Sequence, residues 1–196
     1  DSNAVYLSSL VGMAELLLSG CTTTSDHLYM FPNDALLDDS IRAATEIGIR
    51  FQPTRGSMSL GESDGGLPPD YLVENESDIL LDCQRLIEKY HDKTYGSMMQ
   101  IGIAPCSPFS VTAGLMRDSV EMASEYGVRL HTHLAETIDE DEFCDEMYGM
   151  KPLEYIMDLG WGKDNVWLAH MVHCDECDVS ALSKSGIGIA HCPTSN

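Results

Sequence analysis

Residues 130–136 read Leu130-His131-Thr132-His133-Leu134-Ala135-Glu136, and their reading decides the fold. Gly127 stops the helical pattern before them, and 128–133 then reads as a short strand. On a strand, side chains two apart share a face, so His131 and His133 point to the same side. Glu136 follows where the chain turns off the strand and folds back over the same opening. Two later runs repeat the arrangement: Leu168-Ala169-His170-Met171-Val172-His173, and Ile189-Ala190-His191 continuing through Cys192, Pro193, Thr194 and Ser195 to Asn196. Each places an imidazole directly after an apolar run. A metal or acid–base site at the mouth of a parallel barrel has that form.

Outward from these runs, helical and strand patterns alternate along the whole chain. Strands are expected at 21–25, 49–52, 98–104, 128–133, 165–169 and 186–190. Helices are expected at 3–18, from a cap at Asn33 or Asp34 to 46, at 74–90, from Ser110 or Thr112 to 126, within 139–159, and at 175–184. The first of these reads as amphipathic through Leu7, Leu10, Val11, Ala14, Leu17 and Leu18. Glycine stands at most helix-to-strand joints. The long connection 53–71 is rich in Gly, Ser and Pro, and loops of that length are commonly functional. Alternation of this kind builds a parallel α/β sheet from right-handed units. Six strands fit either part of an eight-stranded barrel or a doubly wound sheet. No GxGxxG, Walker loop or GxSxG elbow is present to favour the second.

The balance of 11 basic against 32 acidic residues, a formal charge of -21, argues against nucleic acid and against a basic membrane-binding face. The acidic clusters, 139–142 among them, read as solvated helix faces and first turns. With 196 residues, 43% of them hydrophobic, the chain is long enough for one sizeable core. Seven cysteines, an odd number, include a Cys174–Cys177 pair with no second pair to complete a thiolate zinc site. They read as packing thiols in a reducing cytoplasm. No apolar run reaches transmembrane length.

The candidates for chemistry follow from these placements. His133 offers a metal ligand and Glu136 a carboxyl to move protons. His131 reads as a second ligand or as a packing residue lining the pocket. His170 ends a strand, and His173, one turn on, competes for the same role. His191 occupies the matching place on the next strand, and His27 fits the same rim. Arg55 stands at a strand end before the glycine-rich loop. Its guanidinium would suit a planar carbonyl edge, or else belong to a salt bridge.

Several segments together resemble the amidohydrolase superfamily, in its branch of purine and triazine deaminases and chlorohydrolases. They are GCTTTSD at 20–26, FQPTRGSMS at 51–59, HLAE at 133–136, LAHMVH at 168–173 and AHCPTSN at 190–196. The resemblance implies a metal-dependent (β/α)8 TIM-type barrel. Residues 1–196 would be the central part of one barrel domain, supplying about strands two to seven. A first-strand HxH pair, an eighth-strand aspartate and a small β-domain would lie outside them. It implies one divalent metal, zinc before iron, with His133 as ligand. Glu136 would shuttle protons, His170 would help activate water, and Arg55 would contact a purine carbonyl. His173, His191 and Asn196 would contact substrate, and His131 has no ligand role in this match. The implied reaction is hydrolytic deamination of an oxidised purine, 8-oxoguanine, to urate and ammonia. Guanine, an adenosyl nucleoside or a triazine is the alternative substrate, and an inactive binding barrel the alternative function. The expected partner is a small heterocycle, with a homo-oligomer supported by exposed apolar helix surface.

Overall fold

The computed structural model describes residues 1–195. The chain runs α1 (Ser2–Leu18), β1 (Thr23–Leu28), α2 (Leu37–Ile47), β2 (Arg50–Ser57), α3 (Glu76–Tyr90) and β3 (Gly102–Pro105). It continues through α4 (Ala113–Tyr126), β4 (Arg129–Leu134), α5 (Ile138–Tyr148), α6 (Pro152–Asp158), β5 (Val166–His170), α7 (Glu176–Ser185) and β6 (Gly188–Ala190). Two short 3-10 turns interrupt the connection between β2 and α3.

All strand pairs are parallel, and their spatial order is the sequence order, β1 to β6. A doubly wound sheet reverses its order at a switch point, and this one does not. The sheet also curls. In a flat sheet β1 and β4 would stand about 14 Å apart, three strand spacings. Yet the rings of His27 on β1 and His133 on β4 stack at 4.5 Å. The fold is a curled half-barrel with its helices outside.

The pleat sorts side chains between the two sides. On β4, Leu130, Thr132 and Leu134 are fully buried facing the helices, whereas His131 and His133 turn inward. The outer layer is an apolar core containing Leu37, Phe51, Leu86, Ile103, Leu115 and Trp161. Trp161 satisfies its indole N–H on the Met116 carbonyl at 3.1 Å. Inside, glycine makes room for the imidazoles. A Cβ on Gly56 would lie 2.7 Å from the His27 ring and 2.5 Å from the Leu28 carbonyl.

Several element bounds differ from the expected ones. β1 runs on to Leu28, which carries His27 into the sheet. β2 continues past Pro53 to Ser57. The proline is tolerated because the ladder to β3 is interrupted there, between the Phe51–Met99 bridge and the Thr54–Gly102 pair. α2 starts at Leu37 rather than at Asn33 or Asp34, and the Asp39 carboxylate accepts the Leu36 N–H at 3.1 Å. Within 139–159 the expected helical segments are two, parted where Gly149 adopts a left-handed conformation before Pro152 opens α6. On α1 the face against the core is Tyr6, Leu10, Met13 and Leu17, while Leu7, Val11 and Leu18 are exposed. That helix is apolar on all sides, so its periodicity could not select the buried face. Among the described residues no helix is long and apolar enough to cross a membrane.

Candidate active site

Three imidazoles from β1 and β4 meet inside the half-barrel. One nitrogen of each of His27, His131 and His133 lies within 4.8 Å of the others. Each ring also holds one nitrogen against a backbone carbonyl. His133 Nδ1 donates to Cys106 O at 2.9 Å, His131 Nδ1 to Trp167 O at 3.0 Å, and His27 Nε2 to Ala104 O at 2.9 Å. A carbonyl only accepts, so these contacts place the proton and leave a lone pair on the opposite nitrogen. His27 Nδ1 is buried with no hydrogen-bond partner. Burial pushes all three imidazoles below their ordinary pKa, His131 to about 4, with like neighbours adding to the effect. Neutral, pre-oriented imidazole is the form that binds a divalent cation, so the donor set fits a metal.

At the carboxyl ends of β4 and β5 the chain takes up strained conformations. Ala135, His170 and Met171 have φ of 50°, 74° and 51°. Such angles persist in non-glycine residues only where surrounding structure holds them, and they gather at functional sites. Here the two loops are tied together. Met171 N–H donates to Leu134 O, and the Val172 and His173 N–H groups both donate to Ala135 O, at 2.9 to 3.0 Å. The result brings Glu136 Oε2 to 3.4 Å from His170 Nε2. The His170 ring lies 5.5 Å from that of His133. Glu136, His133 and His170 line one cavity of about 310 Å³ with Tyr29, Cys106 and Phe109. The paired register explains the common height, since His133 faces Ala169 and Ala169 faces Ala190, one residue short of His170 and His191.

The other expected site residues stand elsewhere. His173 is exposed and lines a separate hollow with Lys151 and Asp175. His191 is exposed beyond β6, and Asn196 lies outside the described residues. Arg55 departs from the expectation of an open guanidinium. Four N–H groups are committed: Nε to Asp82, Nη1 to both Gly56 O and Glu74, and Nη2 to Glu74, all at 2.7 to 2.9 Å. The pleat is the cause, because Gly56 faces His27 and Arg55 must then face α3. Arg55→Met should cost about 2 kcal/mol in urea unfolding, below the usual cost of breaking a buried pair because both carboxylates are partly solvated. An unchanged unfolding midpoint would show that the clamp carries no stability.

Glu140 corrects the reading of 139–142 as wholly solvated, for it is 2% exposed and lines the cavity. Burial raises its pKa to about 7. Such a group holds its proton more tightly when folded. Its effect on stability is nil below the unfolded value near 4.5, and the fold is penalised progressively up to about 7. Above that the penalty is constant, about 3 kcal/mol. Glu140→Gln should therefore gain stability over the parent between pH 5 and pH 8, measured by urea unfolding at both. Parallel pH curves would refute this ionisation.

The HxH period indicated that His131 and His133 share a side, but not that His27 joins them. No sequence signal pointed to the Cys106 carbonyl as the anchor of His133, or to Glu140 beneath the loop. Cys174 and Cys177 are free thiols. Among the described residues, the histidine triad is the one group placed to hold a metal.

Comparison with known proteins agrees with this geometry. The amidohydrolase family model matches residues 1–196. An 8-oxoguanine deaminase of Pseudomonas aeruginosa is 49% identical over 192 residues, covering 97% of this chain and 43% of the relative. Hydroxydechloroatrazine ethylaminohydrolase of Pseudomonas sp. (strain ADP) is 35% identical, covering 98% of this chain and 40% of the relative. A structure of atrazine chlorohydrolase from Arthrobacter aurescens TC1, complexed with zinc, superposes with a TM-score of 0.95 at 35% identity, over 98% of this chain and 43% of that one. The chain thus spans about two fifths of the length of the curated relatives it matches. With the family model over its whole length and half its residues shared with one relative, this chain belongs to the amidohydrolase family.

Proposed function

We propose that the protein is a metal-dependent hydrolytic deaminase of a small nitrogen heterocycle, with 8-oxoguanine as substrate and urate and ammonia as products. The observation that carries the reading is the cavity where Glu136 and His170 face each other beside His133. The 49% identity to an 8-oxoguanine deaminase supports the oxidised purine over guanine, an adenosyl nucleoside or a triazine. The six strands are taken as the second to seventh of an eight-stranded barrel in one domain.

His133 is the metal ligand, with zinc preferred over iron because an atrazine chlorohydrolase of the same fold was crystallised with zinc. A divalent metal held there supplies a water molecule made nucleophilic near neutral pH. Glu136 delivers a proton to the ring nitrogen beside the amino-bearing carbon, which makes that carbon a better electrophile. Water supplies both protons: one reaches the ring nitrogen through Glu136, and the other is passed to the departing amino group, which leaves as ammonia while the carbonyl forms. His170, whose Nε2 lies 3.4 Å from Glu136 Oε2, helps activate the water and contacts the substrate. His173, His191 and Asn196 stay as proposed substrate contacts. Arg55 is assigned instead to the wall behind β2, given its ion pairs. The seven free thiols fit a reducing cytoplasm.

The test is hydrolysis by the full-length protein of 8-oxoguanine, guanine, S-adenosylhomocysteine and a chlorotriazine, read as ammonia release from the first three and as chloride release from the last, with bound zinc and iron quantified. The highest kcat/KM on 8-oxoguanine is expected. Preference for another member of the panel would replace the substrate. A folded, metal-loaded protein inactive on all four would overturn the deaminase reading.

A further inference from the structure

We infer that Glu140 is a positioning residue that sets the Glu136 carboxyl in the cavity through the backbone of the turn after β4. This rests on the reading of Glu136 as the proton shuttle. Glu140 Oε2 accepts the Glu136 N–H at 3.0 Å, while its other oxygen, Oε1, is buried with no hydrogen-bond partner. The bond falls next to Ala135, whose φ of 50° needs support from its surroundings.

The plainer reading is a helix cap, since Glu140 is the third residue of α5. In a capping box the carboxylate returns to the N-cap N–H, at the water-exposed start of the helix. Here the N-cap is Thr137, which makes no side-chain cap bond, and the Glu140 carboxyl reaches past it to Glu136. A cap contributes about 1 kcal/mol, and solvent serves that purpose without burying a carboxyl. Glu140 instead lies under the turn, 2% exposed, on the wall of the cavity that holds Glu136, His133 and His170. The Ala135 carbonyl on the same turn receives the Val172 and His173 N–H groups. The Glu140 bond therefore fixes the turn from below while the β5 loop fixes it from beside, and the Glu136 side chain is the group left to project.

The experiment compares Glu140→Gln with Glu140→Asn in the full-length, metal-loaded protein. Both are uncharged, so both relieve the burial of a charge, and they differ in reach by one methylene. Gln keeps an acceptor within range of the Glu136 N–H, and Asn does not. The expected result is a kcat for Glu140→Gln within about threefold of the parent. For Glu140→Asn we expect a fall of about thirtyfold or more, with KM within threefold and metal content unchanged. Assays are run at least 10 °C below each variant's unfolding midpoint. If Glu140→Asn has no folded state, Glu140→Asp, equally short, takes its place. A kcat for the short variant within threefold of the parent overturns the inference, as does an equal loss in Glu140→Gln. Glu136→Gln is assayed beside them. If it keeps turnover, the shuttle reading fails and this inference with it. If it abolishes turnover while the short Glu140 variant stays active, only this inference fails.

Discussion

Replacing Glu136 by Gln should lower turnover by about 10³-fold, or about 4 kcal/mol of transition-state stabilisation, while bound metal stays at the parent level. Gln keeps the size and hydrogen-bonding edge of the side chain but cannot take up and release a proton. Its Cα sits on a turn held from two sides, by Glu140 below and by the β5 loop through Ala135 O. The substitution should therefore leave the fold and the histidines in place. The measurement pairs steady-state ammonia release with metal analysis on the same full-length preparation. Loss of metal together with activity would show that Glu136 serves as a ligand instead. Turnover within tenfold of the parent would remove it from the proton path.

His133→Ala should abolish detectable turnover and strip the metal to less than about a tenth of the parent content. The expectation comes from the way the ring is held. Its Nδ1 proton is directed to Cys106 O, which aims the Nε2 lone pair away from that carbonyl. His133 also stands at the level where Glu136 and His170 line the cavity, whereas His131 is paired one layer deeper, opposite Trp167. Alanine leaves no donor there, and pre-organisation by the anchoring carbonyl is lost with the ring. Metal content is read by elemental analysis after dialysis, and folding by thermal unfolding. A folded His133→Ala protein with full metal occupancy would exclude His133 from the ligand set.

Much of the architecture was legible in the chain. Glycines such as Gly48 and Gly127, which end α2 and α4 in the left-handed conformation, mark where helix gives way to strand. The apolar runs ahead of His133, His170 and His191 place each histidine at the carboxyl end of its strand, within one residue of the same height in the register. The alternation of Leu130, His131, Thr132 and His133 gives the two sides of β4. These are local properties, written in the spacing of a few residues.

What tertiary structure alone decided concerns which elements meet. Periodicity states which side of its own strand a residue occupies, not what stands across from it. The barrel and the doubly wound sheet share one pattern of helices and strands, and only the unbroken order β1 to β6 separates them. The curl of the sheet, a cumulative twist over four strands, brings His27 of β1 against His133 of β4, 106 positions apart in the sequence. The extension of β2 past Pro53 turns Arg55 toward Asp82 of α3 and away from the cavity. The burial of Glu140 amid a run of acids depends on the β4 loop folding over it. By itself the sequence determined a parallel α/β chain with histidines at its strand ends. The curvature decided which of them share a site, because it sets distances between strands that no local pattern records.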